Sequence, residues 1–183
     1  TPRARGPSAR PPHPPPPGVQ RALRGLDVDT LRLYPDPTSS QLVDVIAGYY
    51  QVSSSQVFVG VGSDDVLAMA FMTFFNGTDP LLFPDITYSF YDVWADVFRI
   101  PYQQIPLNDK FQIEPSDYFS ENTRNGGIIF PNPNAPTGAE MTQRDVESIL
   151  QHNPDVVVIV DEAYVDFGSE SALPRIEKYE NLL

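Results

Sequence analysis

Two spacings of apolar residues alternate along residues 38–183. Apolar residues three and four positions apart predict amphipathic helices, which begin near Ser39 or Ser40, at Ser63, after Thr87 and after Thr142. Short apolar runs between these helices predict strands at residues 57–59, 81–83, 127–130 and 156–160. Uninterrupted apolar runs are typical of strands that are covered on both faces. The pattern therefore predicts an α/β fold with a mostly parallel sheet flanked by helices.

The first 25 residues differ in composition from the rest of the chain. They contain five arginines, no acidic residue and eight of the chain's 20 prolines. Proline lacks the N–H group that a helix needs, so we expect residues 1–17 to be a disordered or misread segment. An organelle transit peptide is the alternative, but it would need an amphipathic helix. The chain begins at Thr1 rather than at a methionine, which suggests a fragment.

The overall composition argues against several functional classes. The chain has no cysteine, which excludes disulfide scaffolds, cysteine-ligated zinc modules and thiol enzymes. A net charge of −12 argues against a nucleic-acid partner, because a nucleic-acid-binding surface should be basic. No apolar run reaches the roughly 18 residues of a membrane span, and no signal peptide is apparent. We therefore expect a cytoplasmic protein that binds neither membranes nor nucleic acid.

The residues that follow the predicted strands are the candidates for ligand binding, because open α/β sheets bind ligands beyond the carboxyl ends of their strands. After the first predicted strand, the sequence GVGSDD at residues 60–65 opens a helix. The glycines could let the backbone approach a phosphate, the start of the helix offers free N–H groups, and Ser63 adds a hydroxyl donor. Taken alone, this segment is more typical of an ordinary capped turn, in which Asp64 and Asp65 complement the helix dipole. A dinucleotide-binding fingerprint would need a glycine at Asp65.

Two further segments follow predicted strands. In PDITYSFY, at residues 84–91, Tyr88 could stack on a flat ligand ring or simply pack at the start of a helix. The turn NPNAPTG, at residues 132–138, combines prolines and a glycine with two amides and a hydroxyl. So many conformational constraints directly after an apolar strand are unusual for a surface turn. This turn is therefore a second candidate for ligand binding.

Asp161 ends the most apolar of the predicted strands. A carboxylate in that position is unfavourable unless it has a cationic partner. Nucleoside triphosphatases place an acid there to bind magnesium, but they also need a GxxxxGK[ST] loop. The chain has only two lysines, Lys110 and Lys178, and neither lies in such a loop. A triphosphatase is therefore excluded.

In this order and spacing, these segments resemble the fold-type-I pyridoxal-phosphate aminotransferases. LYPDP at residues 33–37 and DEAYVDF at residues 161–167 are most similar to the histidinol-phosphate aminotransferases within that family. The resemblance runs from about residue 18 to Leu183. It implies an N-terminal arm with dimer contacts at residues 18–37. It also implies an incomplete large domain that binds pyridoxal phosphate, at residues 38–183, preceded by the disordered or misread residues 1–17.

The resemblance implies pyridoxal 5′-phosphate as the cofactor and assigns residues around its ring. Asp161 would pair with the pyridinium nitrogen, Tyr88 would stack on the ring, and Tyr164 would hydrogen-bond the phenolic oxygen. The family's asparagine before Pro-Thr-Gly contacts the same oxygen, but this sequence has Ala135 there. Asn134 is the candidate to take over that contact.

The resemblance also implies which residues would bind the phosphate group of the cofactor. Gly62, Ser63 and Asp64 would form the phosphate cup at the start of a helix. In a homodimer, Tyr34 from the partner subunit would reach the same phosphate. No metal site is implied.

The implied activity is transamination between an amino donor and a 2-oxo acid acceptor, namely histidinol phosphate and 2-oxoglutarate in histidine biosynthesis. The alternatives are an aminotransferase for another substrate, such as an aromatic amino acid, and a non-catalytic fragment or pseudo-enzyme. These enzymes hold the cofactor as a Schiff base to a lysine in a Ser-Lys segment beyond the DEAY strand. Neither Lys110 nor Lys178 has those neighbours. We therefore expect the 183-residue chain to lack the catalytic lysine and to be inactive alone.

Overall fold

The computed structural model describes residues 14–183. Most of the segment expected to be disordered or misread, residues 1–13, lies outside the described residues. The chain divides into two compact units, one that ends at Val57 and one over Phe58–Leu183. The domain boundaries expected at residues 17 and 37 stay predictions. None of the helices in this part of the chain is long and apolar enough to cross a membrane.

The first unit contains the helices α1 (Pro17–Arg24) and α2 (Ser40–Tyr50). The predicted start of α2 at Ser39 or Ser40 is confirmed, but Ser39 makes no side-chain capping bond. Asp36 replaces it, because its Oδ2 accepts the backbone N–H of Ser40 at 2.7 Å. Four apolar side chains of α2 are exposed, namely Leu42, Val45, Tyr49 and Tyr50.

The second unit is built on a four-stranded parallel sheet. Its strands are β1 (Leu81–Pro84), β2 (Tyr102–Ile105), β3 (Gly127–Pro131) and β4 (Val158–Asp161). They lie in the order β2-β1-β3-β4, and every neighbouring pair is parallel. The helices are α3 (Ser63–Phe74), α4 (Tyr91–Phe98) and α5 (Gln143–His152). The predicted α/β class with a parallel sheet flanked by helices is confirmed.

Alternate residues of the strands point into two separate apolar cores, as the twofold period of a strand requires. In β3, for example, Ile128 and Phe130 belong to one core, which also contains residues of α5. Ile129, between them, belongs to the other core, which contains residues of α3 and α4. All five residues of β3 are buried. The centre of the sheet is thus covered on both faces, and the candidate functional side chains lie in the loops at its carboxyl edge.

The register places these loops side by side. Pro131 at the end of β3 is opposite Asp161 at the end of β4, and Pro84 at the end of β1 is opposite Ile105. Because the strands are parallel, the segments that follow β1, β3 and β4 emerge at the same edge.

Two predictions of secondary structure are wrong in detail. Residues 57–59 do not form a strand, because no described residue pairs with them, and Phe58 is largely exposed. The helix expected after Thr87 begins only at Tyr91. The Thr87 hydroxyl donates to Asn134 Oδ1 at 3.1 Å and does not cap the helix. Residues 85–90 are therefore a loop that belongs to the candidate site.

Candidate functional site

The candidate site lies at the carboxyl edge of the sheet, within the second unit. Side-chain hydrogen bonds join four segments there: the start of α3, residues 84–91, the turn at residues 132–138, and the end of β4. Seven of the predicted residues lie in these segments or directly after β4, namely Gly62, Ser63, Asp64, Tyr88, Asn134, Asp161 and Tyr164. The eighth, Tyr34, belongs to the first unit.

Asp161, the last residue of β4, is half-buried and held by two donors. Its Oδ2 accepts the Tyr91 hydroxyl at 2.7 Å, and its Oδ1 accepts the backbone N–H of Ala163 at 3.1 Å. Both donors are neutral. Within residues 14–183, no basic side chain forms a salt bridge with Asp161. The two hydrogen bonds therefore fix the orientation of the carboxylate, but no basic side chain among the described residues compensates its charge.

Tyr91 is a residue of the site that the sequence pattern did not single out. Its side chain is fully buried. Burial, and next the charge of Asp161, raise the pKa of Tyr91 far above its usual value, so its phenol stays protonated and donates. The only sequence signal for Tyr91 is that it lies three residues after the candidate Tyr88. Only the tertiary structure shows that Tyr91 faces Asp161, 70 positions along the chain.

Tyr88 is half-buried in the same loop, and its ring is fixed by its neighbours. Its hydroxyl donates to Asp64 Oδ1 at 2.7 Å. The ring stacks on Phe90 with centroids 5.7 Å apart and meets Tyr91 edge-on at the same distance. Burial, then the hydrogen bond to Asp64, raise the pKa of Tyr88 to about 12. A neutral aromatic ring is thus held near the start of α3.

The start of α3 has the geometry of an anion site. Gly62 precedes the helix with φ of +93°, and a Cβ at this position would have no heavy atom within 4 Å. The backbone N–H groups of Ser63 and Asp64 lie in the first turn, where they have no intrahelical acceptor. The Asp64 carboxylate accepts the Tyr88 hydroxyl and would repel an anion, so only the backbone N–H of Asp64 is suited to bind one.

Asn134 is buried, and its amide is used by the protein. Its Nδ2 donates to the Ile86 carbonyl and to Thr137 Oγ1, both at 3.0 Å. Its Oδ1 accepts from Thr87. Asn134 therefore ties the loop that carries Tyr88 to the proline-rich turn. Its contact with a ligand stays a prediction.

Tyr164 lies in the loop after β4 and lines the same cleft as residues of the turn at 132–138. It lines a cleft of about 580 Å³ together with Ala135, Pro136 and Phe167. Its side chain is 40% exposed, and its hydroxyl makes no hydrogen bond to any of the residues described. Tyr164 is therefore available to a ligand in this cleft.

The two lysines bind residues outside the four segments of the candidate site. Lys178 Nζ binds Glu147 Oε2 of α5 at 2.7 Å and lies over the ring of Tyr179. Hydrogen bonds from Lys178 and then Tyr179 lower the pKa of Glu147 to about 2. The backbone N–H of Lys110 donates to Asn108 in an exposed turn. Among residues 14–183, no group of three or more His, Asp and Glu side chains could hold a metal ion.

Tyr34 is fully exposed in the first unit. Its expected contact with a partner's cofactor stays a prediction.

The family model and the curated relatives identify the family of this chain. The model of the family described as aminotransferase class I and II matches residues 8–183. Histidinol-phosphate aminotransferase 1 from Hydrogenovibrio crunogenus is 56% identical over 172 residues, covering 94% of this chain and 48% of that protein. A second relative, histidinol-phosphate aminotransferase 1 from Bordetella parapertussis, is 52% identical with the same coverage. The chain thus spans about half the length of the curated relatives it matches.

Solved structures share the fold. The histidinol-phosphate aminotransferase from Sinorhizobium meliloti, determined in complex with pyridoxal-5′-phosphate, superposes with a TM-score of 0.81 at 21% identity. The match covers 92% of this chain and 47% of that one. The histidinol-phosphate aminotransferase from Clostridium acetobutylicum gives a TM-score of 0.77 at 20% identity, covering 90% of this chain and 49% of that one.

Proposed function

Because the chain belongs to the class I and II aminotransferase family, we propose that it forms the cofactor-binding part of a pyridoxal-phosphate-dependent aminotransferase acting on histidinol phosphate and 2-oxoglutarate. The observation that carries this proposal is the oriented, uncompensated carboxylate of Asp161 at the end of a buried strand. The Sinorhizobium neighbour was solved with pyridoxal-5′-phosphate, which supports the cofactor. Relatives named histidinol-phosphate aminotransferase, at 48–56% identity, support the substrate.

The residues around Asp161 suit the ring of the cofactor. A protonated pyridine nitrogen is the cation that Asp161 lacks, and pairing with it would remove the cost of a half-buried charge. Tyr88 presents an aromatic ring held by Asp64 and Phe90, which is suited to stacking on a second flat ring. The Tyr164 hydroxyl, which bonds to none of residues 14–183, would donate to the phenolic oxygen.

The start of α3 suits the phosphate of the cofactor. The open space beside Gly62 lets an anion approach the backbone. The N–H groups of Ser63 and Asp64, with the positive end of the helix dipole, would bind the phosphate oxygens. The Ser63 hydroxyl would add a further donor.

The chain's own residues would prepare the cofactor for transamination. When bound, pyridoxal phosphate supplies an electron-withdrawing ring that takes up negative charge from the amino carbon of the substrate. Asp161 would hold the proton on the ring nitrogen, because an adjacent negative charge favours the protonated form. Tyr88 would keep the ring in one plane, and Tyr164 would fix the charge on the phenolic oxygen. Asn134 would hold the loop of Tyr88 in place, with a direct contact to the cofactor as the alternative.

We propose that neither of the two lysines of this chain is the catalytic lysine. Lys178 is engaged by Glu147, and Lys110 lies in an exposed turn. We therefore propose that the 183-residue chain alone does not transaminate.

The same proposal extends to assembly, domain organisation and location. Residues 18–37 would form an arm that contacts a second subunit in a homodimer, with the exposed Tyr34 reaching the partner's phosphate site. Residues 38–183 would form the large domain. A cytoplasmic location is part of the proposal and is tested by cell fractionation.

The substrate is tested with the intact protein that carries this sequence, supplied with pyridoxal phosphate. Glutamate formation from 2-oxoglutarate is followed with histidinol phosphate, phenylalanine or tyrosine as the amino donor. We expect kcat/KM for histidinol phosphate to exceed that for the aromatic amino acids at least about tenfold. A preference for the aromatic donors would identify the alternative substrate class. Cofactor binding without any transamination would identify a non-catalytic protein.

A further inference from the structure

We propose that Tyr91 is a positioning residue that aims the Asp161 carboxylate at the ring nitrogen of the cofactor. This inference rests on the proposed function, because it gives Asp161 a cofactor to face. It concerns a side chain that would not touch the cofactor and that acts through Asp161.

The hydrogen bond between Tyr91 and Asp161 is short and comes from an immobile donor. Tyr91 is the first residue of α4, and none of its side chain is exposed. The rings of Phe71, Phe83 and Tyr88 surround it, with centroids 6.4, 5.9 and 5.7 Å from its own. A ring packed on three sides cannot swing away, so its hydroxyl stays 2.7 Å from Asp161 Oδ2.

The two donors to Asp161 together define the plane of its carboxylate. Tyr91 binds Oδ2 from α4, and the Ala163 backbone binds Oδ1 from the loop after β4. Each oxygen thus has one neutral partner and keeps a lone pair for another. Because neither donor carries a charge, neither compensates the carboxylate, which can pair with a cation. Without Tyr91, the side chain would be held at one oxygen and could rotate.

A purely structural role for the Tyr91 hydroxyl is the competing explanation, and the chain offers a matched control. Tyr118 is also fully buried, but its hydroxyl has no hydrogen-bond partner among the described residues. Tyr118→Phe therefore removes the same atom from a similar apolar environment without touching Asp161. Any effect common to the two variants reflects packing alone.

The test compares two cofactors in the intact protein prepared without cofactor. One is pyridoxal 5′-phosphate, and the other is its 1-deaza analogue, which has a carbon in place of the ring nitrogen. In Tyr91→Phe we expect the affinity for pyridoxal phosphate to fall about tenfold, as for loss of one hydrogen bond to a charged group. The affinity for the analogue should change less than about twofold, because it has no nitrogen for Asp161 to bind. Tyr118→Phe should change neither affinity.

Each other outcome has a definite meaning. Equal losses for both cofactors, or no loss for either, in a folded Tyr91→Phe protein would overturn the role of Tyr91. A wild-type protein that does not bind pyridoxal phosphate would instead refute the proposed function. Should Tyr91→Phe fail to fold, the wild-type protein supplies a second measurement, the NMR signal of the Tyr91 hydroxyl proton. We expect pyridoxal phosphate to shift it more than the analogue does, and equal shifts would contradict the proposal.

Discussion

Replacing Asn134 by alanine tests whether the turn at residues 132–138 and the loop that carries Tyr88 are held together by one side chain. Asn134→Ala removes three hydrogen bonds at once, those to Ile86, Thr87 and Thr137. The Ile86 carbonyl is left without this donor in a partly buried position. The substitution should therefore destabilise the fold even when no cofactor is present.

The size of the effect follows from the burial of Asn134. Its side chain is 3% exposed, so water cannot readily replace the lost partners. At about 1 kcal/mol net for each hydrogen bond, the free energy of unfolding should fall by about 3 kcal/mol. Asn134→Asp should cost at least as much, because it removes both N–H donors and places a negative charge beside the Ile86 carbonyl.

The assay is urea denaturation of the cofactor-free intact protein, followed by tryptophan fluorescence. Trp94 lies in α4, directly after the loop that Asn134 holds. Asn122→Ala is the control, since this exposed amide makes a single bond to the Ser116 carbonyl. Its loss should cost less than about 1 kcal/mol. An Asn134→Ala protein within about 0.5 kcal/mol of wild type would refute the reasoning.

Three further predictions follow from the remaining contacts. Asp161→Asn should weaken pyridoxal phosphate binding about 100-fold in a fluorescence titration, as for loss of a charged hydrogen bond, and unchanged affinity would contradict its pairing with the ring. The lowered pKa of Glu147, about 2 against a usual 4.5, means that its pairing with Lys178 stabilises the fold above about pH 4.5 and is lost as the pH falls towards 2. Glu147→Gln, unlike the exposed Glu121→Gln, should therefore reduce the loss of stability between pH 5 and pH 3 in urea denaturation. Borohydride treatment of the 183-residue chain with pyridoxal phosphate should leave no stoichiometric label, and mass spectrometry showing one at Lys110 or Lys178 would show that a lysine of this chain can hold the cofactor.

Apolar runs in the sequence correctly predicted the strands that are buried on both faces. The strands at 81–83 and 127–130 are confirmed within one residue at each end, because their residues are buried on both faces. The strand β2 has the sequence YQQI, with three exposed residues at the edge of the sheet. Such a strand has no apolar pattern to reveal it. The run at 57–59 has the pattern of a strand but no described partner, and pairing is a property that its own residues do not encode.

The candidate site shows the same division. Strand ends alone identified Asp161, and the Gly-rich segment identified the start of α3, since both depend on position along the chain. The bond from Tyr91 to Asp161 and the bond from Tyr88 to Asp64 join residues 70 and 24 positions apart. No local sequence pattern shows that Tyr88 bonds to Asp64 and that Tyr91 bonds to Asp161. Likewise, the sequence offered Asn134 as a ligand-binding amide, whereas the structure shows that its donors are used within the protein.

The spacing of residues in the loop at 85–90 and in the first residue of α4 determines which side chains of the site can meet. Three side chains of this segment, at fixed spacings of one and three residues, each reach a different segment: Thr87 to Asn134, Tyr88 to Asp64, and Tyr91 to Asp161. A point substitution breaks one of these bonds, but a residue inserted or deleted between Thr87 and Tyr91 changes their spacing, so the three side chains cannot all keep their partners. Natural variants that retain the site are therefore expected to change the composition of this segment more freely than its length.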